Sequence, residues 1–116
     1  MKFTLRIKKS KTFKYILKKG KYVKGEFLTI HICKTKYENS INFFGVCVSK
    51  KNGNSVQRNK LKRWVREVYK SEEQKLKKGY NIVFLYKKTT TISNTNYNLL
   101  KNDIEKCFES VDLYEK

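Results

Sequence analysis

The sequence has no proline and no internal repeat, and its five glycines are scattered as punctuation rather than gathered into linkers. Nothing marks a boundary, and 116 residues suit a single domain, 1–116, with a modest core. Cysteine is scarce: Cys33, Cys47 and Cys107 are far apart and odd in number, no C-x-x-C occurs, and His31 is the only histidine. A zinc site or disulfide framework is therefore not expected, and three free thiols suit a reducing cytoplasm. No apolar run approaches membrane-spanning length, and the opening MKFTLRIKKSKTF lacks a signal-peptide core. A soluble, cytoplasmic protein with no membrane partner is the expectation. Acids are few, ten against 28 Lys and Arg, for a net charge of +18. That balance argues for a polyanionic partner and against a neutral small-molecule binder. There is no nucleophile elbow, phosphate-binding P-loop or H-E-x-x-H, and no carboxylate pair suited to metal-assisted phosphodiester cleavage is evident. No catalytic residue and no metal ligand is therefore expected in this chain.

What is present supports a folded domain: 39% apolar and 14% aromatic residues, more than disordered basic tails carry. KTFKYILKKG (11–20) reads as a helix, with Ser10 to cap it and Gly20 to end it. Phe13, Ile16 and Leu17 share one side; spacing alone favours core packing over a nucleic-acid platform. A short strand fits Lys21–Lys24. GEFLTIHICKT (25–35) alternates, Leu28, Ile30 and Ile32 against Phe27, Thr29, His31 and Cys33, and reads as a strand with His31 a satisfied sheet residue. INFFGVCVS (41–49) reads as its hairpin partner across a turn near Tyr37–Ser40. YNIVFLY (80–86) is a continuous apolar run, as in a strand buried on both faces. SEEQKLKKG (71–79) reads as a polar connector or helix extension. A last amphipathic helix runs from Tyr97 to Val111, with Asp103, Glu105 and Glu109 expected to face solvent. The order α-β-β-β-α-β-α implies an α+β fold, a mixed sheet with helices packed on it.

SVQRNKLKRWVREVYK (55–70) holds six cations against one acid. With Ser55 as N-cap, Leu61, Trp64, Val65, Val68 and Tyr69 gather on one side of a helix. Arg58, Asn59, Lys62, Arg63, Arg66 and Lys70 gather on the other. A solvated helix face usually mixes both signs. A stripe of one sign fits phosphates better, and three of the four arginines of the chain lie on it. The preceding turn SKKNGN (49–54) adds two cations at the helix N-terminus.

VSKKNGNSVQRNKLKRWVREVY (48–69) resembles the signature of the bacterial ribonuclease P protein-subunit family. Val48, Ser49, Lys50, Lys51, Gly53, Val56, Arg58, Asn59, Lys62, Arg63, Arg66 and Glu67 match it in register, and the similarity extends over nearly the whole chain. The resemblance implies a small two-layer sandwich, shared with a domain of a ribosomal protein, with a left-handed β-α-β crossover against the usual rule. It implies partners: the catalytic RNA subunit and precursor tRNA. It also implies Mg²⁺, bound mainly by the RNA subunit and substrate, with catalysis carried by RNA. Mapped onto this chain, Arg58, Asn59, Lys60, Lys62, Arg63 and Arg66 would bind the catalytic RNA. Phe13, Leu17, Ile30, Ser49, Lys50 and Lys51 would line the cleft for the 5′ leader. Leu17 and Ile30 stand where that family often carries rings, Lys60 where it carries Arg, and Phe43 where a polar residue is frequent. A ribosomal-RNA-binding protein and a stand-alone protein nuclease are the competing readings; the motif helix tells against the first and the lack of paired acids against the second.

Overall fold

The structure, a computed structural model, describes residues 1–36 and 40–115. The elements run β1 (Thr4–Arg6), α1 (Ser10–Lys19), β2 (Lys21–Lys24), β3 (Leu28–Lys34), β4 (Asn42–Cys47), α2 (Ser55–Glu72), β5 (Tyr80–Tyr86) and α3 (Tyr97–Ser110). Short 3₁₀ turns at Lys50–Asn52 and Glu73–Lys75 flank α2. The expected α-β-β-β-α-β-α order is present, preceded by the three-residue strand β1. The strands form one mixed sheet in the order β1-β4-β5-β3-β2.

This order overturns the expected hairpin. β3 and β4 are not neighbours, because β5 lies between them, antiparallel to β3 and parallel to β4. The hairpin is instead β2–β3, in the register Lys21↔Ile32 to Lys24↔Thr29. Positions 37–39 of the expected turn lie outside the described residues. A parallel β4–β5 pair requires a crossover, and α2 provides it. As the central strand, β5 buries Ile82, Val83 and Phe84 completely, which explains its unbroken apolar run.

The two faces of the sheet differ. Leu28, Ile30, Ile32, Phe44, Ile82, Phe84 and Tyr86 point into the main core with Leu61, Val65, Val68 and Tyr69 of α2 and Leu100, Ile104 and Phe108 of α3. The opposite face is crossed by α1, whose Ile16 is fully buried. At Gly45 an added Cβ would collide with the Phe13 ring, so the glycine lets α1 approach β4.

Three acids expected in polar or solvent-facing positions are buried. Asp103 is one: its carboxylate accepts from the backbone N–H of Glu26 at 2.6 Å and of Phe27 at 2.9 Å, tying α3 to the β2–β3 turn. Glu72 and Glu73 are the others. Glu72 accepts from the Tyr114 hydroxyl at 2.6 Å. Glu73 accepts from the N–H groups of Lys2 at 2.7 Å and Phe3 at 3.2 Å and from the Thr4 hydroxyl, which holds the N-terminal strand against the end of α2.

Candidate nucleic-acid interface

The basic turn before α2 is fixed by Asn52. Its side-chain oxygen accepts from the backbone N–H of Ser49 at 2.9 Å, and its amide donates to the carbonyls of Lys87 and Thr90, both at 2.8 Å. With Asn52 buried, Lys50 and Lys51 are left exposed. Gly53 has φ 140°, a conformation that favours glycine, and a Cβ there would also strike Gln57. The N-cap of α2 is Asn54, not Ser55. The Asn54 side chain accepts from the Gln57 N–H and the Gln57 side chain accepts from the Asn54 N–H, each at 2.9 Å, a reciprocal capping box. Ser55 is the first helical residue, and its hydroxyl lies 3.4 Å from Arg58 Nη2.

On α2, Leu61, Val65, Val68 and Tyr69 are buried, Asn59, Lys60 and Arg63 are exposed, and Arg58, Lys62 and Arg66 are partly exposed. The helix therefore brings together the whole predicted catalytic-RNA set. The ion pairs among the described residues, Lys75–Glu72 and Lys77–Asp112, leave this stripe unneutralised. Lys60 lies over the Trp64 ring, 5.3 Å from its centre. Lys62 sits close enough to favour the Cys47 thiolate, although burial of the thiol wins and raises its pKa. The Nε of Arg66 is buried with no hydrogen-bond partner.

The predicted leader set is divided. Phe13 and Leu17 lie on α1, both partly buried, with Phe13 against Gly45. Ser49 lines a hollow of about 260 Å³ with Thr29, Cys47, Leu85 and Lys87. Ile30 does not belong with them: it is fully buried in the core under α2 and α3 and cannot touch a ligand. The strand period decides this, since residues 28, 30 and 32 share one face and 29, 31 and 33 the other. His31 occupies the α1 side in its place, paired in register with Val83 and with its ring 5.7 Å from that of Tyr22. It is a sheet residue as expected, but its Nδ1 is buried without a partner. Burial lowers its pKa, which favours the neutral imidazole.

At the other end of the strands lies a larger open groove of about 1270 Å³, which sequence reading did not reveal. Arg66 and Lys70 of α2 line one part of it, and Arg6, Lys8, Lys9 and Lys11 line the N-terminal part. Lys34 and Lys36 at the end of β3 complete it, together with Tyr15 and Phe43. Among the described residues no acid lines it. Its residues come from segments remote in sequence, so no local motif announces it.

A family model described as Ribonuclease P matches residues 1–112. The chain belongs to the ribonuclease P protein family. It is 38% identical over 103 residues to a ribonuclease P protein component of Clostridium botulinum strain 657, covering 83% of this chain and 91% of that one. It is 32% identical over 111 residues to a ribonuclease P protein component of Caldanaerobacter subterraneus, covering 96% and 92%. The ribonuclease P protein of Staphylococcus aureus superposes with a TM-score of 0.83 at 28% identity, over 95% of this chain and 97% of that one. That of Thermotoga maritima gives 0.75 at 25% identity, over 88% and 93%. Both agree with the expected small α+β fold. Membership carries a role in tRNA processing, as a component of an endoribonuclease complex.

Among the described residues no side chains are grouped as a metal site built by the protein alone requires. Among the described residues no three His, Cys, Asp or Glu side chains converge. Asp103, Glu72 and Glu73, the buried acids, are each engaged in hydrogen bonds within the fold. No step through a metal is assigned to this chain.

Proposed function

We propose that this chain is the protein subunit of a ribonuclease P ribonucleoprotein and binds two RNAs. The α2 stripe, Arg58, Asn59, Lys60, Lys62, Arg63 and Arg66, faces the catalytic RNA. The α1 side of the sheet, with Phe13, Leu17, Ser49, Lys50 and Lys51, takes the 5′ leader of precursor tRNA. His31 stands where Ile30 was expected to stand. Endonucleolytic hydrolysis then removes the leader and leaves a mature tRNA 5′ end bearing phosphate. The chemistry belongs to the RNA subunit. This chain supplies binding energy and position, drawing substrate and RNA together so that cleavage is less dependent on free cations. The setting is the cytoplasm, where its three free thiols stay reduced.

The observation that carries this reading is the α2 stripe itself. Its cations occupy the family's motif register on one helix, and no carboxylate among the described residues pairs with them. Arg offers phosphate a planar, bidentate contact; Lys60, in place of Arg, offers charge alone. Phe13 is held by Gly45 yet partly exposed, so packing and base stacking are both open to it.

The experiment is cleavage of precursor tRNA at low Mg²⁺ by a bacterial ribonuclease P RNA, with and without this protein, and with the protein alone. Cleavage only with both components is the expected result. No enhancement of an otherwise active cognate RNA would overturn the reading and leave ribosomal-RNA binding in its place. Cleavage by the protein alone would move catalysis into the chain.

A further inference from the structure

We infer that the large groove along β1 is a second RNA-binding track, which holds an unpaired segment of the catalytic RNA; this rests on the function proposed above. Eight cations line the groove, among them Lys8, Lys9, Lys34, Lys36, Arg66 and Lys70, interspersed with Leu5, Ile7, Tyr15 and Phe43. Unpaired like charges packed this way repel one another, and a polyanion laid through them removes that repulsion. Arg66 belongs both to the groove and to the α2 stripe. It therefore links the stripe to the groove. Arg66 is partly exposed and lines the groove, so its guanidinium is placed to meet a phosphate there.

The aromatic content argues for a single strand. Tyr15 is 42% exposed, and Lys36 Nζ lies 5.2 Å from the centre of its ring. Phe43 lines the same groove. Ring faces interleaved with ammonium groups suit bases that stack and phosphates that lie between them. A duplex hides its base faces and would use only the charges.

Position argues for the RNA subunit over the leader. The hollow beside Ser49 lies at the Thr29–Leu85–Cys47 end of the sheet, whereas the groove lies at the Lys34–Asn81–Phe43 end. A leader seated at the first leaves the second open.

The test uses the full chain in the reconstituted holoenzyme, with a photoreactive phenylalanine analogue in place of Tyr15. Crosslinks to unpaired nucleotides of the RNA subunit are expected. Crosslinks confined to the leader, to base-paired stems, or to no RNA would each overturn the assignment. In parallel, the exposed triple variant Lys8→Gln, Lys9→Gln, Lys36→Gln is titrated with the RNA subunit across a salt series. Its log–log salt slope should be shallower by about 2, at roughly 0.7 for each single-strand phosphate that the variant leaves unneutralised. The leader-length dependence of substrate binding should stay as in wild type. An unchanged slope would make the groove an ordinary solvated face. Tyr15→Leu should weaken RNA-subunit binding about tenfold with the slope unchanged, as loss of one stacked base requires. The wild-type arm separates the two ideas. Wild-type protein that fails to bind the RNA subunit sinks the parent reading, whereas wild-type binding with an unaffected triple variant sinks this one alone.

Discussion

On the face of the sheet covered by α2 and α3, the rings of Phe44, Tyr69, Phe84 and Phe108 stand 4.9 to 6.3 Å apart, tilted or edge-on to one another. Polar groups that enter this layer find partners: Tyr86 donates to the Leu61 carbonyl at 2.8 Å, and the Tyr69 hydroxyl meets that of Thr4 at 2.8 Å. On the face crossed by α1, a ten-residue helix seats Phe13 on Gly45 and leaves grooves at either end of the strands. Unpartnered buried nitrogens occur at His31 on this face and at Arg66 on the groove wall. The hydroxyls named on the closed face are satisfied within the fold, whereas His31 Nδ1 and Arg66 Nε are not, as is also true of Thr95 Oγ1 before α3. Stability and RNA binding should therefore respond to different substitutions.

The largest effect should come from the closed face. Phe84→Ala removes a ring from the fully buried core and should cost about 3–5 kcal/mol in a urea titration. The fraction that remains folded should bind the RNA subunit normally; a matching loss of affinity would erase the distinction between the faces.

Glu73→Gln comes next, at about 1–3 kcal/mol, because the buried acceptor of the N-terminal bonds loses its charge. It also has a pH signature. Burial pushes the Glu73 pKa up, but the Thr4, Lys2 and Phe3 hydrogen bonds and the nearby terminal ammonium outweigh it and hold the group below its ordinary value. A carboxyl whose folded pKa is depressed contributes stability above its unfolded pKa and loses it as pH falls through the folded value. Wild type should thus weaken on acidification in that window, and the Gln variant should weaken less. Parallel acid profiles for the two proteins would refute the N-terminal clamp.

Gly45→Ala sharpens the contrast from the open side. Its Cβ would collide with the Phe13 ring, which must shift. A stability cost of about 1 kcal/mol is expected, with weaker binding of long-leader substrates and intact affinity for the RNA subunit. The smallest effect on stability, within about 0.5 kcal/mol, belongs to Arg58→Ala on the partly exposed stripe. It should nonetheless weaken RNA-subunit binding more than binding to bare precursor tRNA; equal losses on every RNA would reduce the stripe to a generic polycation.

Much of this was legible in the sequence where one element decides the matter. The 3.6-residue period of 55–70 separates Leu61, Val65 and Val68 from the cations, and the two-residue period of 28–33 separates the faces of β3. That same alternation assigns His31, not Ile30, to the α1 side. Asp103 shows a conflict of signals: it shares a face with Leu100, Ile104 and Cys107, yet its charge suggests solvent. The backbone N–H groups of Glu26 and Phe27 resolve it, and they come from a turn some 77 residues away. Strand order is likewise non-local. β5 displaces the hairpin expected of β3 and β4, and β1 is too short to carry a pattern. The groove assembles from β1, α1, the end of β3 and α2, so its charge could be counted but not located.

The Glu73 clamp sets an order of events during synthesis. Lys2, Phe3 and Thr4 leave the ribosome before their partner, which follows 71, 70 and 69 residues later. Among the described residues β1 pairs only with β4, and Glu73 at the far end of α2 holds it. β1 thus cannot be clamped until α2 has been made, and until then Lys8 and Lys9 travel on a basic arm that is not yet held.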